Sequence, residues 1–420
     1  MLRIARPPRF AAAPRSLRGL DWLNFFIADF QTGFGPFISV YLTGVGWTQS
    51  AIGASLSIGT IAGMASQVPG GALADAIRDK RSAIAAAIVA TLVSALLIAL
   101  WPTLLSIGFA EVLHAFAGSV IGPAIAALSL ALVHPSLFGE RLGRNARYAA
   151  IGNAFAAGLM GICGSYFSDR AVFFLTAAFC LPALAALAMI RGEDLESSGR
   201  QRRPPRPAAS RPVGSSWRFL KDRRLLAYFA CACLFHLANA AMLPIAAGMV
   251  TKRAGSEAAA LIAACIVGPQ IVTALISPWA GRAAEKWGRR PILLLGYSAL
   301  PIRGALLAGV TDPYLIILIQ LFDGLGAAVF GVLTPLIVAD IARDSGHYPT
   351  CLGIIGLAVG TGATLSTTAA GLISDHFGGA ATFLSLAAVG LCATLLVVTV
   401  MPETRPVSGE IAKGSEEPEL

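Results

Sequence analysis

The stretch GALADAIRDKR at residues 71–81 recurs half a chain later as GRAAEKWGRR at residues 281–290. The two copies are offset by 210 residues in a chain of 420. Each copy places one acidic residue, Asp75 or Glu285, a few positions before a basic cluster. Self-similarity at a fixed period is typical of proteins built from repeated units. The repeat therefore predicts two homologous halves.

The composition indicates which solvent surrounds these halves. Hydrophobic residues make up 56% of the chain and charged residues only 13%, whereas soluble domains carry about 25% charged residues. The mean hydropathy is +0.71. A soluble fold would have to hide long apolar runs that lack a polar face, so we expect lipid as the solvent. The net charge of +9 does not require a nucleic-acid partner, because membrane proteins retain Lys and Arg on the cytoplasmic side.

The apolar runs are continuous rather than alternating, which selects helices over barrel strands. A helix needs about 20 mostly apolar residues to cross the bilayer core. The sequence therefore predicts an all-α membrane protein with twelve transmembrane helices in two pseudo-symmetric six-helix bundles. The predicted spans are residues 21–43, 49–75, 83–101, 104–133, 147–167, 171–190, 225–250, 258–281, 291–309, 313–342, 350–373 and 379–401.

The basic residues indicate how these spans are oriented. With the N-terminus inside, 28 of the 32 Lys and Arg residues fall on predicted cytoplasmic segments, as the positive-inside rule requires. We therefore expect a multi-pass protein of the cell (inner) membrane with both termini in the cytoplasm. The predicted segments are a basic N-terminus (1–20), a first bundle (21–190), a cytoplasmic linker (191–224), a second bundle (225–401) and a disordered C-terminal tail (402–420).

The repeated motif resembles the helix 2–3 loop of the major facilitator superfamily, which carries a G-x-L-A-D-x-x-G-R-K pattern. The resemblance covers about residues 17–403 and implies a secondary transporter in which the motif stabilises one conformation. It implies that the acidic residue faces the end of a neighbouring helix and basic partners; loop anchoring is the alternative. The first copy departs from the pattern, because it has Arg78 where the second has Gly288. The motif residues are Gly71, Asp75, Arg78, Lys80, Arg81, Gly281, Glu285, Gly288, Arg289 and Arg290.

The resemblance also implies a substrate site near the midplane between two halves that rock against each other. Small residues let helices approach closely, although any glycine can also serve static packing. The glycines expected at the gating seams are Gly158, Gly161 and Gly164 in helix 5 and Gly353, Gly356, Gly360 and Gly362 in helix 11. Antiporters of the family often carry a Gly-Pro pair in helix 5. Here Met160 and Ile162 flank Gly161, which weakens an assignment as an exporter.

Ionisable residues inside the apolar helices are costly, so each is a functional candidate. Asp29 shares one face of helix 1 with Phe25, Gly33 and Pro36. A carboxyl group in such a position can bind and release a proton, so Asp29 is the first candidate for proton coupling or substrate contact. A structural pairing inside the bundle is the alternative.

A second candidate in the first half is the helix 4 pair Glu111 and His114, which are three residues apart. His114 occupies the place where the family's helix 4 often has arginine. An unperturbed histidine titrates near pH 6.5, so this pair is a candidate for a proton-sensitive site. The alternative is a histidine that only donates a hydrogen bond to Glu111.

The second half carries a different set of polar residues at membrane depth. Arg303 in helix 9 needs a counter-anion, and Asp323 in helix 10 is the carboxylate at comparable depth. We predict a structural Arg303–Asp323 pair rather than substrate binding. His236 aligns with Asp29 at an offset of 207 residues, so each half can present a titratable group from the same helix position.

Other functional classes receive less support from the sequence. A membrane enzyme would need a nucleophile with its base or a cluster of metal ligands, and neither pattern is present in the sequence, so we expect no metal and no cofactor. The duplicated motif argues against a channel. We expect a monomer whose partners are membrane lipids, protons and a small-molecule substrate. Proton-coupled export of a small organic compound is the first hypothesis and proton-coupled uptake is the alternative.

The topology gives a direct test. The linker carries ten basic residues, so a reporter fused near Pro205 should show a cytoplasmic location. Paired alkaline phosphatase and fluorescent-protein fusions measure this. An extracellular signal at that position would contradict the twelve-helix map.

Overall fold

The computed structural model of the protein describes residues 13–34, 36–195, 221–254, 258–343 and 345–405. Within these ranges the chain is helical and contains no strand. Residues 1–12 of the N-terminal segment, 196–220 of the linker and 406–420 of the tail lie outside the described residues. The assignments of those three segments remain predictions.

The first half contains six helices, numbered here in chain order. Helix α1 consists of two segments, Pro14–Phe34 and Pro36–Gly44. A short 3-10 turn, Pro135–Leu137, precedes the fifth helix. The other helices are α2 (Gln49–Ala76), α3 (Lys80–Leu100), α4 (Leu104–Leu132), α5 (Phe138–Tyr166) and α6 (Asp169–Ala188).

The second half repeats this order. Helix α7 consists of Arg223–Asn239 and Met242–Ala254. It is followed by α8 (Ala258–Trp287), α9 (Arg289–Gly309) and α10 (Pro313–Ala342). The last helical segment, Tyr348–Thr399, is interrupted at Gly378, where φ is 82°; it forms α11 before this residue and α12 after it. These two sets of six helices confirm the predicted fold class.

Length and composition agree with a membrane location. Nine helical segments in the described part of the chain are long and apolar enough to cross a bilayer, and the last of them contains both α11 and α12. Helices α1 and α5 are not among these nine. Helix α5 carries three arginines in its first ten residues, which lowers its hydropathy.

Short polar side chains define where several helices begin. Such residues accept a hydrogen bond from an otherwise unpaired N–H group of the first turn. The side chains that cap in this way are Thr48 before α2, Asp79 before α3, Thr103 before α4, Ser168 before α6, Asp222 before α7 and Asp312 before α10.

The start of α5 corrects the sequence prediction. The helix begins at Phe138 rather than at 147, because two of its arginines are neutralised by Asp21 instead of lying in a loop. The Asp21 carboxylate of α1 accepts hydrogen bonds from Arg141 and, at 2.6 Å, from Arg144 Nη2. Asp21 is 1% exposed and Arg141 is 5% exposed. A buried charge is tolerated when it is paired.

The Asp21 cluster generates a stability prediction. Asp21→Asn would leave Arg141 buried without its counter-anion, and breaking such a pair costs about 3–5 kcal/mol. We expect a clearly lower melting temperature, measured by thermal unfolding of the purified protein in detergent.

The matched control is Asp222→Asn, because asparagine still caps a helix and its partner Arg224 is 44% exposed. Exposed ion pairs contribute about 0–1 kcal/mol, so this variant should unfold near the wild-type temperature. Equal shifts in the two variants would show that Asp21 has no special structural role.

Candidate functional site

One end of the helix bundle gathers both copies of the repeated motif and the arginines at the start of α5. We call it the basic end; it comprises the α2–α3 loop, the start of α5, the α8–α9 loop and the α10–α11 loop. At this end α2 packs on α11, and α5 packs on α8. Each of these contacts joins a helix of the first half to a helix of the second half.

Asp75 forms the first polar contact between the halves. Its Oδ2 atom accepts a hydrogen bond from Thr350 N at 2.9 Å and another from the Thr350 hydroxyl. Thr350 is the third residue of α11, so its N–H group belongs to the first turn, where helices have unpaired donors and a positive dipole end. We call this contact the first latch.

Glu285 forms the equivalent contact in the second copy of the motif. Its Oε1 atom accepts a hydrogen bond from Gly139 N, the second residue of α5, at 3.1 Å. Its Oε2 atom binds Arg289 at 2.9 Å, and Arg289 also binds Asp340 at 3.0 Å. We call the Glu285–Gly139 contact the second latch. The duplicated motif thus places one carboxylate from each half on a helix start of the other half.

The basic residues of the two copies have different positions. Lys80 Nζ donates to the carbonyl oxygens at the end of α2, including Ile77 O at 2.7 Å. In the second copy Arg289 is a direct partner of the acidic residue, whereas the first copy uses Thr350, with His347 Nδ1 at 4.0 Å from Asp75. The family resemblance implied that the acidic residue faces the end of a neighbouring helix and basic partners. The helix end is observed in both copies, and an arginine partner is observed in the second copy.

Glycines allow the helix backbones to approach at the latches. A Cβ atom at Gly71 would lie 2.5 Å from Pro349 O, and one at Gly281 would lie 2.0 Å from Gly139 O. Gly288 adopts a positive φ of 104°. The first copy turns without such a residue, since no non-glycine residue in the described ranges, Arg78 included, has a positive φ.

The predicted gating glycines occupy two kinds of environment. Gly353 and Gly356 of α11 lie against Gln67 of α2, and a Cβ atom at either glycine would lie 2.2 Å from an atom of Gln67. Gly360 lies against Met64, and Gly362 lies against Cys233. In α5, Gly158 and Gly161 have open space around them, and Gly164 is near only Asp169 and Val172. The close seam of α5 instead uses Gly139 and Gly143, against α8.

A cavity of about 490 Å³ lies between the two halves. Helices α1, α3, α4 and α5 line it from the first half, and α8 and α10 line it from the second. The described residues that line this cavity include no Asp, Glu, Lys or Arg. The polar side chains that line it are Asn24, Thr91, His114, Asn145, Asn153, Gln270 and Thr273.

The first-half candidates do not all meet in this cavity. His114 lines it. Glu111 is 7% exposed and is directed at α2 instead. Its Oε2 atom lies so close to Gly59 that a Cβ atom at this glycine would be 2.0 Å away. Glu111 Oε1 has no hydrogen-bond partner among the described residues. Glu111 therefore lies against α2 and His114 lines the cavity, and the proton-sensitive role of these two residues stays a prediction.

Asp29 lies in α1, directly after the cavity-lining Ala28. Its side chain lies outside the part of the chain that the structure describes. The role of Asp29 therefore remains a prediction that rests on its position in the helix.

The second-half candidates form a separate cluster. Arg303 is 1% exposed and donates to Asp323 Oδ1 at 2.6 Å, as the sequence predicted. It also donates to Asn239 Oδ1 at 2.6 Å and to Gln320 Oε1 at 2.8 Å. These residues join α7, α9 and α10. His236 packs its ring against Phe330 at 4.7 Å, and its Nδ1 atom lies 3.1 Å from Ala232 O.

The sequence prediction overlooked the neutral polar residues of the cavity. It considered charges at membrane depth, whereas the cavity presents amides and hydroxyls. A usable signal was present on α5, where Asn145 and Asn153 are eight residues apart and so share a helix face. Asp21 was also overlooked, because it lies at the edge of its predicted span.

Comparisons with known proteins agree with this architecture. The family model of the Major Facilitator Superfamily matches residues 21–269 and 254–419. An uncharacterised MFS-type transporter of Mycobacterium tuberculosis is 37% identical over 396 residues, which is 94% of this chain and 95% of the relative. The multi-drug resistance efflux pump PmrA of Streptococcus pneumoniae is 28% identical over 160 residues, 38% of this chain and 40% of that protein.

A solved structure shows the same fold. The proton:xylose symporter XylE, bound to 6-bromo-6-deoxy-D-glucose, superposes with a TM-score of 0.70 at 16% identity and covers 93% of this chain and 96% of its own. The duplicated motif, the twelve helices and the match along nearly the whole chain lead to one conclusion: this chain belongs to the major facilitator superfamily.

Proposed function

We propose that this chain is a secondary transporter that exports a small organic molecule across the cytoplasmic membrane by alternating access, in exchange for protons. The observation that carries the proposal is the pair of latches at one end of a cavity that both halves line. Such contacts hold one side closed, and breaking them would let the halves rock and expose the cavity there. The partial match to an efflux pump supports export.

The lining of the cavity supports a substrate without a fixed charge. A cationic or anionic solute leaving water needs a counter-charge at low dielectric, and the described lining provides amides, hydroxyls and one histidine. These groups donate and accept hydrogen bonds to neutral polar atoms. About two-thirds of the lining residues are apolar, which suits a partly hydrophobic molecule.

The coupling residues in this proposal are Asp29, with Glu111 and His114 assisting. Glu111 is buried, and its Oε1 atom has no hydrogen-bond partner among the described residues; such a group suits proton binding because its charged form is costly there. His236 and Asp323 are the reserve candidates in the second half. The glycines of α5 and α11 would act at the moving seams.

The orientation in this proposal follows the positive-inside rule, with the basic end in the cytoplasm. In this orientation, a carrier with both latches formed would be closed to the cytoplasm. Export requires this state to release substrate outside and accept protons there.

The decisive experiment measures transport in proteoliposomes with and without a pH gradient, using a counterflow panel of uncharged and cationic compounds. Wild type should accumulate an uncharged compound only with the gradient, in the direction opposite to proton flow. Asp29→Asn should abolish this accumulation but spare exchange of substrate for substrate, because exchange returns the loaded carrier without net proton release.

The control variant is Asp79→Asn, which keeps a helix-capping side chain at the surface and should accumulate substrate as wild type does. Full gradient-driven accumulation by Asp29→Asn would assign a structural role to that carboxylate and make His236 the leading candidate. Movement of substrate in the same direction as protons would identify an uptake symporter instead.

A further inference from the structure

A stripe of side chains on α5 faces away from the cavity. Arg144, Tyr148 and Phe155 follow one another at a spacing that keeps them on one helix face. Arg144 is 53% exposed and Phe155 is 50% exposed. Ala149 and Asn153, which line the cavity, belong to the other face. This stripe therefore faces lipid.

Helix α1 carries a matching stripe. Arg18, Trp22 and Phe26 recur every four residues and so share one face. Arg18 is exposed and Trp22 is 46% exposed. The cavity-lining residues of α1 include Asn24 and Ala28, which lie on the opposite face. Both stripes begin with an arginine near the basic end and continue as aromatic residues.

Ring contacts join the two stripes into one surface. The ring centroids of Trp22 and Tyr148 are 6.2 Å apart, and those of Phe25 and Phe155 are 5.7 Å apart. Trp22 also stacks on Phe26 at 5.9 Å. We call this surface the α1–α5 groove. It has a basic mouth at the basic end and an aromatic floor further into the membrane.

The charges at the mouth do not cancel. Asp21 provides one carboxylate, which Arg141 and Arg144 share. Arg144 donates to it from Nε at 3.0 Å and from Nη2 at 2.6 Å, while half of its side chain remains exposed. Arg18, less than one turn before Asp21, adds a further positive charge. The four ionised groups named here therefore sum to a net positive charge.

The depth of the groove matches that of a lipid headgroup. Arg144 lies about two turns from the start of α5, and Trp22 and Tyr148 are the residue types that concentrate at the membrane–water interface. Guanidinium groups bind phosphate oxygens through charge-assisted hydrogen bonds. Arg144 uses Nε and Nη2 for Asp21, so its Nη1 is the atom that would donate to a phosphate oxygen. We propose that the α1–α5 groove binds an anionic phospholipid, with its phosphate at Arg144 and Arg18 and an acyl chain along Trp22, Tyr148 and Phe155.

The charge at the mouth determines which lipid is favoured. A zwitterionic phospholipid also carries a phosphate, but its amine would face the arginines. A headgroup with net negative charge, such as phosphatidylglycerol, avoids this repulsion and supplies the missing counter-charge. Binding at this site is independent of which solute the cavity transports.

Tryptophan fluorescence tests this proposal directly. The full-length protein is reconstituted in phosphatidylcholine vesicles that contain an equal fraction of brominated phosphatidylglycerol or brominated phosphatidylcholine, and the Trp22→Phe variant isolates the signal of Trp22. Brominated phosphatidylglycerol should quench Trp22 more strongly. Arg144→Gln should weaken the relative association of phosphatidylglycerol about fivefold, the effect of one basic residue near an anionic surface.

Arg224→Gln is the matched control, because Arg224 is an ion-paired arginine at the start of α7 with a similar exposure of 44%, and it should leave the lipid preference unchanged. Arg18→Gln is a second test that leaves the Asp21 cluster intact and should also weaken the preference. Equal quenching of Trp22 by the two brominated lipids, or an unchanged preference in both groove variants, would overturn the proposal.

Discussion

The architecture depends on a carboxylate of each half that accepts a hydrogen bond from the first turn of a helix in the other half. An N-terminal turn has unpaired N–H groups and a positive dipole end, so it attracts an anion without needing a basic side chain. Asp75 uses the start of α11 in this way and Glu285 uses the start of α5. Glycines lie at these contacts because a carboxylate reaches a backbone N–H group of another helix only if the two helix backbones nearly touch.

Among the residues that the structure describes, charged side chains are kept apart from the cavity. The buried arginines of the described chain are held in compensated clusters: Arg303 among Asp323, Asn239 and Gln320, Arg141 with Asp21, and Arg289 with Glu285 and Asp340. The cavity between the halves is lined by neutral polar and apolar groups and by His114. A buried ion pair adds little stability but is expensive to break. Such clusters therefore suit fixed scaffolding within each half, whereas the weaker contacts at the latches suit an interface that opens and closes.

Much of the fold and part of the candidate site could be predicted from the sequence, because the sequence patterns that indicate them are periodic or unique. The 210-residue repeat identified both latch carboxylates, continuous apolar runs identified the helices, and a lone deep arginine in the second half predicted the Arg303–Asp323 pair. The start of α5 was missed because its arginines look like loop residues until Asp21 supplies their counter-charge from α1. The Glu111–His114 pair was predicted from helix spacing alone, which cannot show that Glu111 turns towards α2. The cavity amides were missed because the search for site residues followed charges at membrane depth, although Asn145 and Asn153 share a face of α5.

In the proposed mechanism, the two latches hold the basic end closed in one state of a two-state carrier. Pulsed electron spin resonance on a cysteine-free background tests it, with one label pair at the exposed residues Leu137 and Trp287 of the basic end and another at the exposed residues Phe167 and Phe377 of the opposite end. Asp75→Asn combined with Glu285→Gln should lengthen the Leu137–Trp287 distance and shorten the Phe167–Phe377 distance, because the equilibrium moves to the other state. Distances at both ends that stay at their wild-type values would contradict the role of the latches.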